Sequence, residues 1–500
     1  MAQELQSINL VAPAFKGVNT EDSPLAQDPS FAEVADNAVI DKRGRIAARK
    51  GHEVITTDKT ALGSGSIRVI KEFEKSSGTN VILSAGNNKI FTGTTTLTTA
   101  YSTGITADNW KIVNFNEKAY LFQESHAPLV YDGTSVVTLA SVSGAAGVVQ
   151  GNEVLSAYGR LWVVGTGSNS SVVYWSDLLI GHDFSGGTSG SIDVSKVWPD
   201  GYDEVVALAA HNGLLIIFGN HSIVVYEGAE APATMALSDT IAGVGCVDRD
   251  TVQHTGTDVL FLSHTGLRSF SRTTQQKSMP MGNLSSNVTK DIISSLQSEN
   301  DFFRSVYSPE EGFYLLTFVG QNVTYCFDVR GTLENGAYRV TRWISTGFTS
   351  YARKEDGDLL IGTSEGISTY AGYKDNNNSY RFKYYSPSLT FGDSSKIKIL
   401  KKLKPTLVGA NNATVFLKWA YDFKGVYSTA EFTVGDQITG FFGESEFTAV
   451  EFTGGALTNQ KSLNATGYGT SVVVGLEADI DGSQLSLQEI NVMALLGKIL

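Results

Sequence analysis

The sequence has 500 residues, 42% of them hydrophobic and 18% charged, and a formal net charge of −13. A chain this long exceeds one typical domain, and its composition excludes the disordered class. The acidic balance excludes tight binding of nucleic acid over the whole surface, and two cysteines, Cys246 and Cys326, exclude a disulfide framework or a cysteine zinc site.

The chain opens with MAQELQSINL, in which Glu4 comes early and no basic stretch precedes an apolar run. A secretory signal is therefore not expected, and the chain is expected to fold in a cytoplasm. No run approaches the roughly 18 apolar residues of a spanning helix, so no membrane insertion is expected. Residues 18–53, VNTEDSPLAQDPSFAEVADNAVIDKRGRIAARKGHE, carry scattered turn residues and a basic patch without a long apolar period. Residues 1–66 are thus expected to form an extended N-terminal arm with platform strands. The turn Asp22-Ser23-Pro24 would aim it, and a strand over 46–49 would enter the propeller or the platform beside it.

From residue 67 one pattern recurs: a short apolar strand, a turn, and a second apolar or aromatic strand. Its copies include TNVILSAGNNKIFTG (79–93), NGLLIIFGNHSIVVYEG (212–228) and GDLLIGTSEGISTYAG (357–372). Anchored on Val81, Ala119, Leu161, Leu214, Val259, Tyr314 and Leu359, the steps are 38, 42, 53, 45, 55 and 45 residues. A period near 40–50 with antiparallel hairpins is the signature of a β-propeller, whose blades bury their faces only by stacking on one another. Gly219-Asn220 and Thr265-Gly266 supply hairpin turns. Residues 67–375 are therefore expected to be a β-propeller of six or seven blades; two or three unrelated β-sandwiches are the alternative. A helix is expected near 284–299, with Val288, Ile292, Ile293 and Leu296 on one face and a serine cap, inserted between blades.

The texture changes after residue 375. Residues 380–404 carry seven basic side chains and one Asp, whereas 405–500 carry four Lys and ten acids. Alternating apolar residues in ATVFLKWAYDF and GTSVVVGLEADIDG predict an antiparallel β-sandwich over 376–500, with a Gly-rich insertion at 435–460. The whole chain is thus all-β.

Catalytic signals are thin. GTSEG (362–366) matches G-x-S-x-G only formally, because it bridges two strands instead of turning a strand into a helix. The seven histidines form no metal-binding spacing, although His254 and His264 lie on neighbouring predicted strands and could meet. DIDG (479–482) lacks the later ligands of a calcium loop and reads as a hairpin turn. A glycan hydrolase would need paired acids; Asp132, Asp177, Glu227 and Asp328 end inner strands, where turn aspartates are common. No catalytic residue, cofactor or metal is expected, and the chain is not expected to be an enzyme.

The opening block resembles the N-terminal signature of tail nozzle proteins (tail tubular protein B type) of short-tailed bacteriophages. Gly17, Asn19, Asp22, Ser23, Pro24, Asn37, Gly44, Arg49, Lys50 and Gly51 stand in the family's order. Residues 172–228, 241–272 and 467–498 are also similar to it. The resemblance implies a propeller body, a homo-hexamer ring beneath the portal and the adaptor (head-to-tail connector) proteins, and a central channel that retains and then ejects double-stranded DNA. It also implies contacts to tail fibres or a needle, and a place in the virion tail after assembly in the host bacterial cytoplasm. An acidic wall would let DNA pass without sticking. A receptor- or glycan-binding tail protein is the alternative.

Two basic groups are candidates for a subunit or adaptor interface. Arg43, Arg45, Arg49 and Lys50 form the first, against which stands a solvated basic strand. Lys396, Lys398, Lys401, Lys402 and Lys404 form the second, against which stands a solvated edge strand whose lysines block stray pairing.

Overall fold

A computed structural model describes residues 5–76, 78, 80–276, 283–435 and 458–499. Five sheets follow one another in chain order, beginning at Val69–Phe73, Lys111–Phe115, Gly151–Ala157, Val205–His211 and Gln253–His254. They are blades one to five. The first four are four-stranded meanders, and the fifth has three strands. A sixth, closing blade comprises Ser350–Arg353, Leu359–Thr363 and Gly366–Thr369, with Glu53–Val54 as its outer strand. Between the fifth and the closing blade lies the meander Phe303–Ser308, Phe313–Phe318, Val323–Thr332 and Tyr338–Ile344. It fills one sector of the ring yet belongs to a nine-stranded sheet that runs on into the C-terminal region. Each neighbouring pair of sectors shares one apolar cluster, which closes the ring.

The stacking explains why central strands such as Leu214–Gly219 (LLIIFG) are apolar throughout. Both faces are covered by neighbouring blades, so alternation has no solvent side to serve. Hairpin turns fall where two successive residues have positive φ, as at Asn87-Asn88 and Asn212-Gly213, the conformation that sets the twist of tight turns.

The structure corrects the extended arm. Leu5–Leu10 pairs with the long strand Leu485–Ile499, and Ile46–Ala48 joins that strand nearer its start, at Ser486 and Leu487, while pairing with Ala38–Ile40. Val34–Asp36 bridges Tyr338–Ile344 and Tyr380–Tyr385, and Glu53–Val54 locks the ring. The segment is turn-rich because it crosses between sheets, contributing a few residues to each. The strand near 46–49 does enter the platform, as expected.

The C-terminal region is two facing sheets. Lys396–Gly409 pairs along most of its length with Leu485–Ile499, while Tyr380–Tyr385, Val472–Ile480, Thr414–Tyr421 and Ser428–Thr433 extend the nine-stranded sheet. Leu403, Leu487 and Val492 of the first sheet and Val415, Leu417 and Leu476 of the second share one cluster with Leu260 and Leu316 of the ring. Ring and sandwich are therefore one continuous core across residue 375. Of the expected 435–460 insertion, 436–457 lie outside the described residues.

The helical region differs too. Among the described residues two α-helices occur, α1 (Phe270–Gln276) and α2 (Thr289–Ser298), and they pack on blade five where its fourth strand would follow in the chain. They flank a single antiparallel bridge, Asn283 to Arg268, that stands where a fourth strand would pair, and so do not sit between complete blades. Val288, not a serine, occupies the N-cap of α2 and makes no side-chain cap bond.

Candidate functional site

Arg49 follows the strand Ile46–Ala48 directly and is wholly buried. Its Nη1 and Nη2 donate to the two carboxylate oxygens of Asp375 at 2.8 and 2.6 Å, and its Nε donates to Asn37 Oδ1 at 3.1 Å. The guanidinium lies 4.3 Å from the Tyr380 ring centroid. Burial pushes the Asp375 carboxyl up, but bonds from Arg49 and His52 outweigh it and hold it at about 2. Arg49 is thus an internal tie, and its assignment to an interface is corrected: the side chain is wholly buried, out of reach of a neighbour.

The other three residues of that group line a half-open cleft of about 390 Å³. One wall is the hairpin of Ala38–Ile40 and Ile46–Ala48 with its 41–45 turn; the other carries Glu310, Glu311 and Arg330. Phe313, Tyr370 and Tyr373 supply aromatic surface. Arg45 pairs with Asp41 at 2.7 Å, Lys50 with Glu311 at 2.5 Å, and Arg330 with Asp328 at 2.7 Å. Glu310 is taken by Arg353. Each acid of the lining thus already holds a cation, while the side chains of Lys42 and Arg43 at the rim are exposed and make no ion pair among the described residues. This arrangement suits a carboxylate-bearing chain segment that seats an apolar side chain on the aromatic surface.

The second basic group divides. Lys398 is buried, its ammonium donating to the carbonyls of Asp393 and Lys396, which removes it as a contact residue. Lys396 pairs with Asp393 at 3.1 Å, Lys401 and Lys402 are exposed, and Lys404 is half-buried. The edge-strand alternative is corrected as well. Lys396–Gly409 is central, paired with Leu485–Ile499 on one side and with Thr458–Gln460, Leu463–Asn464 and Tyr468–Gly469 on the other. None of these lysines lines the cleft.

A cluster that the sequence reading missed sits on the ring axis, where the innermost strands converge. Asp250 accepts from Arg304 Nη1 at 2.9 Å and lies 3.4 Å from Lys111 Nζ; Arg249 donates to Asn152 Oδ1 at 3.0 Å and the Asn109 carbonyl at 2.6 Å. Burial pushes Asp250 up, but Arg304, Arg249 and Lys111 bring it to about 2. Burial lifts Glu153, 3.8 Å from Lys111, to about 7. Side chains from several sectors thus meet in one buried charged cluster. The available signal was a charged residue in an innermost strand of several copies: Lys111, Glu153 and Arg304.

The strand-end acids do not converge. Asp132 accepts N–H groups of its own turn, Asp177 is bonded to Thr188, and Asp328 is held by Arg330 and Arg339. They and Glu227 belong to different sectors. Ser364 lies in a hairpin turn between Leu359–Thr363 and Gly366–Thr369, and 481–484 likewise turn between two strands. His254 and His264 do not meet each other; His254 meets His211, and His264 meets His221. Among the described residues no group of three or more His, Cys, Asp and Glu could hold a metal ion, and no helix is long and apolar enough to cross a membrane.

No family model matches the sequence, and no curated protein matches it. Among solved structures the chain is similar to an extracellular domain from B. thetaiotaomicron, with 12% identity, a TM-score of 0.39, and coverage of 77% of this chain and 46% of that one. It thus spans less than half of that protein's length. It is also similar to the Neurospora crassa Pan2 WD40 domain, with 8% identity, a TM-score of 0.38, and coverage of 65% and 94%. A protein from Lactobacillus plantarum gives 11% identity, a TM-score of 0.36, and coverage of 66% and 93%. Likenesses of this degree carry no argument about what the chain does.

Proposed function

We propose that this chain is a structural protein of a bacteriophage tail, a nozzle subunit whose copies form a six-membered ring around the DNA exit channel. The observation that carries the reading is the ordered set of nozzle-like residues in the opening segment. Several of them occupy demanding places in this fold. A Cβ at Gly51 would lie 1.8 Å from the Lys374 carbonyl oxygen, and Gly17, at φ +93°, would place one 2.6 Å from Val340 N. Asn37 has φ +53° and donates to the Arg381 carbonyl, and Arg49 ties the segment to Asp375.

In this reading the cleft is where an acidic segment of a neighbouring subunit or of the adaptor docks, with Lys42 and Arg43 as first contacts. DNA passes between copies, along acidic walls. No catalytic role is proposed. Electron microscopy of the intact particle tests the proposal: six copies of this chain on the tail axis are expected, and purified virions without the chain would overturn it. The aromatic surface of the cleft favours a second reading, glycan binding, for which selective retention on an array of host-surface glycans is the expected result.

A further inference from the structure

Blades four and five meet at an apolar seam in which the Phe218 and Phe261 rings lie 4.8 Å apart. A pair of histidines, one from each blade, stands at each end. His211 closes the innermost strand Val205–His211 and is buried; its Nδ1 lies 3.1 Å from Nε2 of His254, which ends Gln253–His254. At the other end His221 and His264, both exposed and both in hairpin turns, stack with centroids 5.1 Å apart.

The partners of the first pair fix its protons. Gly256 N–H donates to His254 Nδ1 at 3.0 Å, so neutral His254 carries its proton on Nε2 and donates it to His211 Nδ1. Neutral His211 then carries its proton on Nε2, 3.0 Å from Asn212 Nδ2; turning that amide over places its Oδ1 there as the acceptor. Every ring nitrogen is thereby used once, in one direction. An added proton has no acceptor within the protein: on the exposed His254 Nδ1 it faces the Gly256 N–H, and on the buried His211 Nδ1 it faces the His254 N–H.

We propose that the seam between blades four and five is a proton-operated joint, closed while His211 and His254 are neutral and opened when either gains a proton. The charged group facing His254 is Asp258, whose carboxylate is occupied by the N–H groups of Val259 and Ser271 and the Ser269 hydroxyl. Asp203 faces the outer pair and accepts from the Asn220 and His221 N–H groups. Burial pushes His254 down, His211 adds to this and Asp258 opposes it; for His264 burial comes first, with His221 adding and Asp203 opposing. A histidine lowered in the folded state leaves the seam fully stable above the ordinary value of 6.5 and weakens it as pH falls below. Blade five, with three strands, has the least sheet to resist opening.

Hydrogen exchange on the isolated full chain at about pH 7.5 and about pH 5, corrected for intrinsic rates, tests the joint. Peptides covering 205–219 and 246–262 are expected to lose protection about fivefold or more in acid, while those from blades one to three keep theirs. The double variant His211→Asn with His254→Gln, which cannot be charged at these positions, is expected to hold equal protection at both pH values. Equal protection of the parent chain at both, or acid loss in the variant matching the parent's, would overturn the proposal. If the variant does not fold, histidine ring resonances of the parent decide. The His254 ring is expected to be neutral at pH 7 and to gain charge over the interval in which exchange rises; a His254 ring already charged at pH 7 refutes it. None of these outcomes depends on the tail reading.

Discussion

Arg49 shows at the scale of one residue how a surface-looking basic motif becomes interior. Its neighbours Arg43 and Lys42 reach solvent, yet Arg49 turns inward because Asp375 and the Tyr380 ring complete its coordination. Replacing it with Ala leaves Asp375 without its fork, and the expected loss is about 3–5 kcal/mol, as for a broken buried pair. Chemical denaturation at neutral pH measures it. In the parent, Asp375 is lowered to about 2 from an ordinary 3.8, so its contribution is present above 3.8 and is lost as pH falls through about 2. The variant is expected to lack this acid transition. Glu153 works in the opposite sense. Its folded value of about 7 lies above an ordinary 4.5, so the ring is progressively penalised as pH rises from 4.5 through 7. Glu153→Gln is expected to stabilise the protein by about 3 kcal/mol near pH 8 and to match the parent in acid, as read by denaturant midpoints.

At the scale of elements, closure depends on two residues of strand. Glu53–Val54 completes the sheet of Ser350–Arg353, Leu359–Thr363 and Gly366–Thr369, joining the chain's beginning to the ring's end. A chain that starts at residue 55 also loses Leu5–Leu10, Val34–Asp36 and the 38–48 hairpin, which uncovers one edge of the long strand Leu485–Ile499. Such a truncation is expected to lose exchange protection in the closing blade and the platform first, with blades two to four keeping theirs. Uniform loss over the whole ring would show that closure holds every blade equally. The helices at blade five make a related point. Their apolar face was legible from Val288 and Ile292, both buried, but their place at the edge of blade five was not, because that depends on which neighbour they cover.

For the whole molecule, ring and sandwich share one core, so they are expected to unfold together; the axis is filled with buried charge. In the proposed tail assembly, contacts between copies then fall to the outer surface. Charge reversal at Lys42 and Arg43 is expected to leave the fold intact, since both side chains are exposed and unpaired among the described residues, and to weaken assembly. Circular dichroism of the isolated chain and the yield of tailed particles report the two effects separately. Unchanged yield would remove the cleft from the assembly surface.

The sequence alone determined the all-β class, the propeller and most of its sectors, because apolar runs of four to six residues repeated at a regular period have few other ways to bury both faces. It also located the basic hairpin. The tertiary structure alone decided which cations face solvent, that Lys396–Gly409 is central, and that the opening segment is woven into three sheets. The physical reason is range: hairpins are set by neighbours a few residues apart. Arg49–Asp375, Glu53–Val54 with its blade, and the axial cluster join residues tens to hundreds of positions apart, and no local pattern encodes who meets whom.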